Sequence, residues 1–203
     1  MSTRRVIAIA NQKGGSTKTT TTLNLGAAMA ERGLRVLCID FDPQASLTVA
    51  CGYDPDAIER TIYTVLHHAT GHNGEDTPAT LADIALPTGA GFTLAPAGPE
   101  LGIADLELMQ ADAGEHVLAE VIEAAPGDYD VILIDCLPSL SILCINALVA
   151  ADAVLLPVSA DFLTLKGVDL LLRTITRVQR RLNRKLTIAG AFFTKVAHTT
   201  HSK

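Results

Sequence analysis

The stretch Asn11-Gln12-Lys13-Gly14-Gly15-Ser16-Thr17-Lys18-Thr19-Thr20 decides the fold of this chain. It follows a short apolar run, Val6–Ala10, and precedes a helical pattern from Leu23 to Arg32. A strand, a Gly-rich loop and a helix in this order direct backbone N–H groups and a helix N-terminus at a phosphate group. In such a loop the lysine reaches the β- and γ-phosphate oxygens, and the next hydroxyl ligates magnesium. Lys18 and Thr19 are therefore predicted to take these two roles.

The loop departs from the general phosphate-binding pattern G-x-x-x-x-G-K-[ST]. Gln12 and Thr17 stand at the two glycine positions, and Gly14 and Gly15 lie between them. The residue before the lysine often needs a positive φ, and a β-branched residue forced into that geometry costs about 1–3 kcal/mol. A second lysine, Lys13, directly precedes Gly14 and Gly15.

Acidic residues follow two further apolar runs. Asp40-Phe41-Asp42-Pro43-Gln44 comes after Arg35–Ile39, and Asp135 ends the run that starts at Tyr129. Ligands bind at the carboxyl ends of the strands in open α/β sheets, which favours a functional interpretation of these acids. The alternative for residues 40–43 is a turn whose carboxylates cap a helix.

The motif Lys13-Gly14-Gly15-x-x-Lys18-Thr19-Thr20 resembles the deviant Walker A box of the ParA/MinD family of ATPases. Asn11-Gln12 before it and Thr20-Thr21-Thr22 after it are similar to the ParA branch. The acidic segment at residues 40–44 and Ile134-Asp135-Cys136-Leu137-Pro138-Ser139 support the resemblance, which runs from about Val6 to about Thr194. It implies a P-loop NTPase fold, that is, a doubly wound α/β fold with a mostly parallel sheet and helices on both faces.

The resemblance also implies a role for each residue of the site, with ATP and Mg2+ as cofactors. Lys13 and Lys18 would neutralise phosphate charge, Lys13 from across a dimer interface, and Asp42 would orient the attacking water. Thr19 would ligate the magnesium ion, and Asp135 would hold it through a water molecule. The nucleotide-binding residues would be Lys13, Gly14, Gly15, Ser16, Thr17, Lys18, Thr19 and Thr20.

The function that the resemblance implies is ATP-dependent dimerisation in the partitioning of DNA or another cargo. Hydrolysis would be slow until a ParB-like partner stimulates it. A different class of function stays open: a nucleotide-independent or inactive relative that acts as a binding module, because Thr17 replaces a glycine. A MinD-like membrane ATPase is a third option, but no C-terminal amphipathic helix supports it.

Charge is distributed unevenly along the 203 residues, whose net charge is −6. Residues 166–203 carry 9 Lys/Arg and 1 Asp/Glu, or +8, so the preceding 165 residues carry −14. Arg173, Arg177, Arg180 and Arg184 recur at helical spacing, from within a predicted helix, Leu163–Leu182, to two residues beyond its end. They form either a contact surface for nonspecific DNA or a solvated cationic face. The same helix is predicted to bury an apolar stripe of Leu170, Leu171, Ile175, Val178 and Leu182.

We expect one cytoplasmic domain over residues 1–203, with reduced cysteines and no membrane span. The resemblance implies further strand and helix segments after Thr194. The helix after the loop is predicted to bury Leu23, Ala27, Ala30 and Leu34, and to end at Gly33. The other predicted helices are Ile58–His68, Gly98–Leu108, Glu115–Ala124 and Ile142–Ala150. The other predicted strands are Phe92–Pro96, Val154–Val158 and Leu186–Phe193.

Overall fold

The computed structural model describes residues 4–15, 17–71, 79–125, 129–159 and 164–194, without the side chains of residues 164–166. Its strands are β1 (Arg5–Ile9), β2 (Val36–Phe41), β3 (Leu86–Pro87), β4 (Thr93–Ala95), β5 (Val131–Cys136), β6 (Ala153–Ser159) and β7 (Thr187–Thr194). Its helices are α1 (Lys18–Glu31), α2 (Ser46–Ala50), α3 (Ile62–Ala69), α4 (Leu101–Gln110), α5 (Val117–Ala124), α6 (Ile142–Ala150) and α7 (Thr164–Arg181), with a 3₁₀ turn at Pro55–Ala57.

The strands form one sheet in the order β3-β4-β2-β5-β1-β6-β7, and each neighbouring pair is parallel except β3 with β4. Apolar clusters cover the two faces of this sheet. The helices α3 to α7 pack on one face, and α1 packs on the other. The predicted doubly wound, mostly parallel fold is confirmed. Within the described ranges, no helix combines the length and the apolar character that crossing a bilayer requires.

β1 and β2 run parallel, as expected in a mostly parallel sheet, but β5 lies between them. Ile9 on β1 and Asp40 on β2 both pair with Asp135 on β5. The end of β1, from which the Gly-rich loop starts, therefore lies level with both acids at the carboxyl edge of the sheet. This register brings together three segments that are far apart in the sequence.

Most predicted elements are observed with shifted ends. α1 begins at Lys18 and not at Leu23, so the loop lysine belongs to the first helical turn. α3 begins at Ile62 and not at Ile58, because Thr61 caps it: the Thr61 side chain accepts a hydrogen bond from Tyr63 N, and the Thr64 side chain accepts one from Thr61 N. The short elements β3 and α2 were not predicted.

The buried side of α1 differs from the predicted one. Its buried residues are Lys18, Thr22 and Gly26, each one turn from the next, whereas Leu34 is exposed. A Cβ on Gly26 would lie 2.7 Å from Cys38 Sγ on β2, so this glycine lets the helix approach the sheet closely. The helix does end where predicted, with Gly33 at φ 84°.

The apolar stripe of α7 is correct at Leu171, Ile175 and Val178, which are buried, and wrong at Leu170, which is 50% exposed. Successive helical residues point about 100° apart, so Leu170 and Leu171 cannot both face the sheet. Leu170 instead lies beside α6 on an open surface.

Two helical glycines with opposite surroundings test the packing of α1. Gly26→Ala should lower the free energy of unfolding by about 1–2 kcal/mol, because overpacking against Cys38 and Phe92 outweighs the better helix propensity of alanine. Gly102→Ala, on α4, adds a methyl group to open space and should raise the free energy of unfolding by about 0.5–1 kcal/mol. Urea denaturation measures both variants. Equal effects of the two substitutions would contradict the close approach of α1.

Candidate nucleotide-binding site

A cavity of about 430 Å³ lies at the carboxyl edge of the sheet, where the loop enters α1. It brings together the Gly-rich loop, the segment after β2 and the segment after β5. Its lining residues are Gly14, Gly15, Thr17, Lys18, Thr19, Thr20, Asp42, Gln44, Ser46 and Pro138. Ser46 and Gln44 were not predicted as site residues, because α2, which places Ser46 at this edge, has no recognisable pattern in the sequence. Ser16 lies outside the described residues.

The loop backbone adopts the strained geometry that its sequence predicts. Gly15 has φ 70°, and Thr17 has φ 68° and ψ 25°. The left-handed conformation costs a non-glycine residue about 1–2 kcal/mol. The Thr17 side chain does not cap α1, and the first turn of α1 carries no acidic residue. The N-terminal N–H groups of α1 therefore remain available to an anion in the cavity.

Lys18 is 7% exposed although it lines the cavity. Burial lowers its pKa, and Asp135 and Asp42 nearby oppose this by favouring the charged ammonium. The side chain of Lys18 is thus held by its position at the start of α1, between the cavity and two carboxylates. A cation in this position attracts phosphate oxygens.

Asp135 is 1% exposed and does not itself line the cavity, but it lies close to Lys18 and Thr19, which do. Neither of its carboxylate oxygens has a regular hydrogen-bond partner in the described part of the chain. Burial raises its pKa to about 7, and the neighbouring Thr19 hydroxyl and Lys18 offset only part of this effect. Buried carboxylate oxygens beside a hydroxyl group are oxygen ligands of the kind that Mg2+ prefers. Thr19 and Asp135 therefore fit a magnesium ion.

The two acids after β2 differ in their contacts, and the catalytic role of Asp42 stays a prediction. Asp40 is fully buried, and its Oδ2 accepts hydrogen bonds of 2.8 Å from Thr48 N and from Thr48 Oγ1. Thr48 Oγ1 in turn accepts a hydrogen bond from Ala97 N. Asp40 thus fixes α2 to the end of β4. Asp42 is half-buried and lines the cavity, where its carboxylate faces the space in which a phosphate group would sit.

Asn11 is a further site residue that sequence reasoning did not single out. It is 3% exposed; its Nδ2 donates a hydrogen bond to Pro157 O on β6, and its Oδ1 accepts one from Lys13 N. Asn11 therefore fixes the start of the loop to the sheet. Lys13 itself is half-buried and does not line the cavity, so the structure separates the two lysines of the motif.

Three residues of the predicted arginine face, Arg173, Arg177 and Arg180, lie on α7, and Arg184 follows three residues after its end; all four are exposed. Arg173 forms an ion pair of 2.9 Å with Asp169, one turn earlier on the same helix. None of the four arginines lines the cavity.

A glycine-rich loop that joins a parallel strand to a helix, with a buried lysine and a strand-end aspartate beside it, defines a P-loop NTPase fold. The AAA_31 family model, described as an AAA domain, matches residues 4–188. The chain belongs to this family, in its ParA/MinD-like group.

Two relatives and one solved structure give the extent of this similarity. The chain is 39% identical over 197 residues to the sporulation initiation inhibitor protein Soj of Bacillus subtilis, covering 97% of the chain and 75% of Soj. It is 43% identical over 193 residues to the chromosome partitioning protein ParA of Caulobacter vibrioides, covering 94% of the chain and 69% of ParA. The crystal structure of cobyrinic acid a,c-diamide synthase from Mycobacterium smegmatis, with bound ADP and magnesium, is 40% identical, with a TM-score of 0.90, and the match covers 98% of the chain and 78% of that structure.

The burial of Asp40 predicts a pH-dependent effect of Asp40→Asn on stability. Burial raises the pKa of Asp40 to about 6 from an ordinary 3.8, so the folded state holds a proton that the unfolded state has lost between these values. The free energy of unfolding of the parent therefore falls as pH rises from 4 to 6, and this contribution is constant above pH 6. The asparagine can still accept both bonds from Thr48 but carries no charge.

The free energy of unfolding of Asp40→Asn, relative to that of the parent, should therefore increase by about 1–3 kcal/mol from pH 4 to pH 7. Urea denaturation of both proteins at pH 4, 5, 6 and 7 measures this difference. Thr48→Val is the control, since it removes the hydroxyl that bonds to Asp40 Oδ2 and should destabilise the fold at pH 7. A difference between Asp40→Asn and the parent that does not change with pH would contradict a raised pKa at Asp40.

Proposed function

We propose that this protein is a ParA-type ATPase that binds ATP with Mg2+, dimerises in that state and acts in the partitioning of DNA or another cargo. The observation that carries the proposal is the buried pair Lys18 and Asp135 beside the open N-terminus of α1. The identities with Soj and ParA support the partitioning role. We place the protein in the cytoplasm, as a single domain that forms a homodimer.

The residues of the cavity suit phosphoryl transfer to water. The N–H groups at the start of α1 and the Lys18 ammonium would hold the β- and γ-phosphates, and Thr19 and Asp135 would hold Mg2+. The ion would neutralise charge that develops on the phosphate oxygens. Asp42 lines the cavity wall, where its Oδ1 accepts a hydrogen bond of 3.0 Å from Gln44 N and its second oxygen could orient the attacking water.

The position of Lys13 supports a role in the dimer. In one subunit its side chain does not line the cavity, although it belongs to the same loop. A half-buried lysine at the outer side of the loop could reach the phosphates of a second subunit that faces the first. It would then add positive charge as an arginine finger does. Hydrolysis would be slow until a ParB-like partner stimulates it, and hydrolysis would release the dimer.

We propose nonspecific DNA as a ligand of Arg173, Arg177, Arg180 and Arg184. Their exposure and the excess of positive charge over residues 166–203 support contacts with phosphates. The ion pair of Arg173 with Asp169 supports the alternative, in which this face is solvated and paired with acids. Within the proposal, Arg180 and Arg184 are the better candidates, because they form no ion pair within the described ranges and line neither the nucleotide-binding cavity nor the groove between α6 and α7.

The second candidate function, a binding module that does not use nucleotide, is favoured by the strained Thr17. Against it, Lys18, Thr19 and Asp42 line one cavity, and the buried Asp135 lies close to Lys18 and Thr19, an arrangement that suits a nucleotide with its metal ion. The identity with a protein named as a diamide synthase is close to that with ParA. Overall sequence identity therefore does not distinguish a diamide synthase from a ParA-type ATPase. The second lysine of the loop, Lys13, favours the ParA type.

Substitution of the two lysines separates nucleotide binding from dimerisation. Lys18→Ala should abolish ATP binding at micromolar concentrations, because it removes the cation that faces the phosphates. Lys13→Ala should bind ATP as the parent does but remain a monomer with a nonhydrolysable ATP analogue and Mg2+. Equilibrium binding and sedimentation velocity measure the two properties.

Lys185→Ala is the matched control for loss of an exposed lysine far along the chain, and it should dimerise like the parent. If Lys13→Ala dimerises with the analogue as well as this control does, the proposed contact of Lys13 across the interface is wrong. If Lys18→Ala binds ATP as tightly as the parent, the phosphate-binding loop itself is misassigned.

A further inference from the structure

A second cavity, of about 560 Å³, lies between α6 and α7 and is separate from the nucleotide-binding cavity. We call it the α6–α7 groove. Six of the ten lining residues that the structure describes are apolar, namely Leu140, Ile142, Ile145, Leu170, Val178 and Leu182. Its size is within the range of about 300–1,000 Å³ that is usual for ligand pockets.

Charged residues stand on both sides of this apolar floor. Arg177 and Arg181 lie one turn apart on α7, and Glu115 lines the groove from the segment before α5. Both arginines are exposed, and neither forms an ion pair within the described ranges. Leu170 is 50% exposed at the same groove, although a leucine gains free energy by leaving water.

This combination does not suit a phosphate backbone alone. Nonspecific binding to DNA rests on neutralised phosphates and needs no apolar surface. Two arginines beside exposed leucine and isoleucine side chains instead match a protein segment that carries both carboxylates and apolar side chains. Contacts of an amphipathic segment with an apolar groove follow this pattern in other complexes.

We propose that the α6–α7 groove binds a short amphipathic peptide segment of a partner protein, with leucine-like side chains on the floor and Asp or Glu facing Arg177 and Arg181. The charge of the two arginines selects the acidic flank. Glu115, from the other side, selects a hydrogen-bond donor or a basic residue on the opposite flank. Part of the arginine face of α7 thereby serves protein recognition and not DNA.

The groove is connected to the nucleotide-binding cavity by a short segment. Pro138 lines the nucleotide-binding cavity, and Leu140 and Ile142, two and four residues later, line the groove. Near the start of α7, a Cβ added to Gly167 would lie 3.6 Å from Gln12 Cβ in the loop, so the helix passes close to the loop there. We therefore expect occupation of one cavity to change the affinity of the other. This coupling rests on the proposed function, whereas peptide binding does not.

The test is selection of peptides from a random 16-residue display library on the immobilised full chain. The enriched peptides should carry Asp or Glu together with Leu, Ile or Phe. Each is then synthesised with a fluorescent label, and its affinity is measured by anisotropy. A duplex DNA with the same label is the competing probe.

Variants at the groove decide where the peptides bind. Peptide affinity should fall at least tenfold in the double variant Arg177→Glu, Arg181→Glu. It should also fall at least tenfold in the separate variant Leu170→Asp. Leu172→Asp is the matched control, because Leu172 is also an exposed leucine of α7 but does not line the groove; it should change the affinity less than twofold. Circular dichroism checks that each variant is folded.

Several outcomes would overturn the proposal: no enrichment over the double-arginine variant, enriched peptides that are basic, or equal losses from Leu170→Asp and Leu172→Asp. It would also be overturned if DNA, and no peptide, lost affinity in the double-arginine variant, since the face would then bind nucleic acid. An ATP analogue with Mg2+ should change peptide affinity at least threefold. Peptide binding without any nucleotide binding would leave the groove in place and refute the proposed ATPase function instead.

Discussion

The structure depends on the burial of two ionisable side chains, Lys18 and Asp135, at the carboxyl edge of the sheet. Burial of a lone ammonium or carboxylate is costly unless a partner is near, so each group limits where the other can lie. The β1–β5 register, the start of α1 at Lys18 and the close approach of α1 at Gly26 all serve to place these two side chains. Asn11 completes the arrangement by fixing the loop to β6.

The sheet, most helices and the main site residues could be predicted because they depend on local patterns. Continuous apolar runs identify buried parallel strands, and the loop motif identifies Lys18 and Thr19. The sequence pattern could not show which side of α1 is buried, since a lysine, a threonine and a glycine at Lys18, Thr22 and Gly26 do not resemble an apolar stripe. Their burial follows from the sheet beneath them and from the charges at its edge.

The sequence also could not show that Asp40 and Asp42 make different contacts. Both precede the same turn, and only the three-dimensional contacts distinguish them: Asp40 bonds to Thr48, and Asp42 faces the cavity. The α6–α7 groove could not be predicted from the sequence for the same reason. Leu140 and Leu170 are 30 positions apart in the sequence, and their common surface arises from the packing of two helices.

The central claim is that this loop binds ATP with Mg2+ in spite of Thr17, and calorimetric titration of ATP tests it most directly. The parent should bind ATP in the presence of Mg2+ and more weakly without it. Thr17→Gly, titrated beside it, should bind several-fold more tightly, because relief of strain of about 1–3 kcal/mol exceeds the entropic cost of about 0.5–1 kcal/mol for glycine. Weaker binding by Thr17→Gly would show that the loop is adapted to Thr17. The absence of ATP binding by both proteins, with and without Mg2+, would contradict the account.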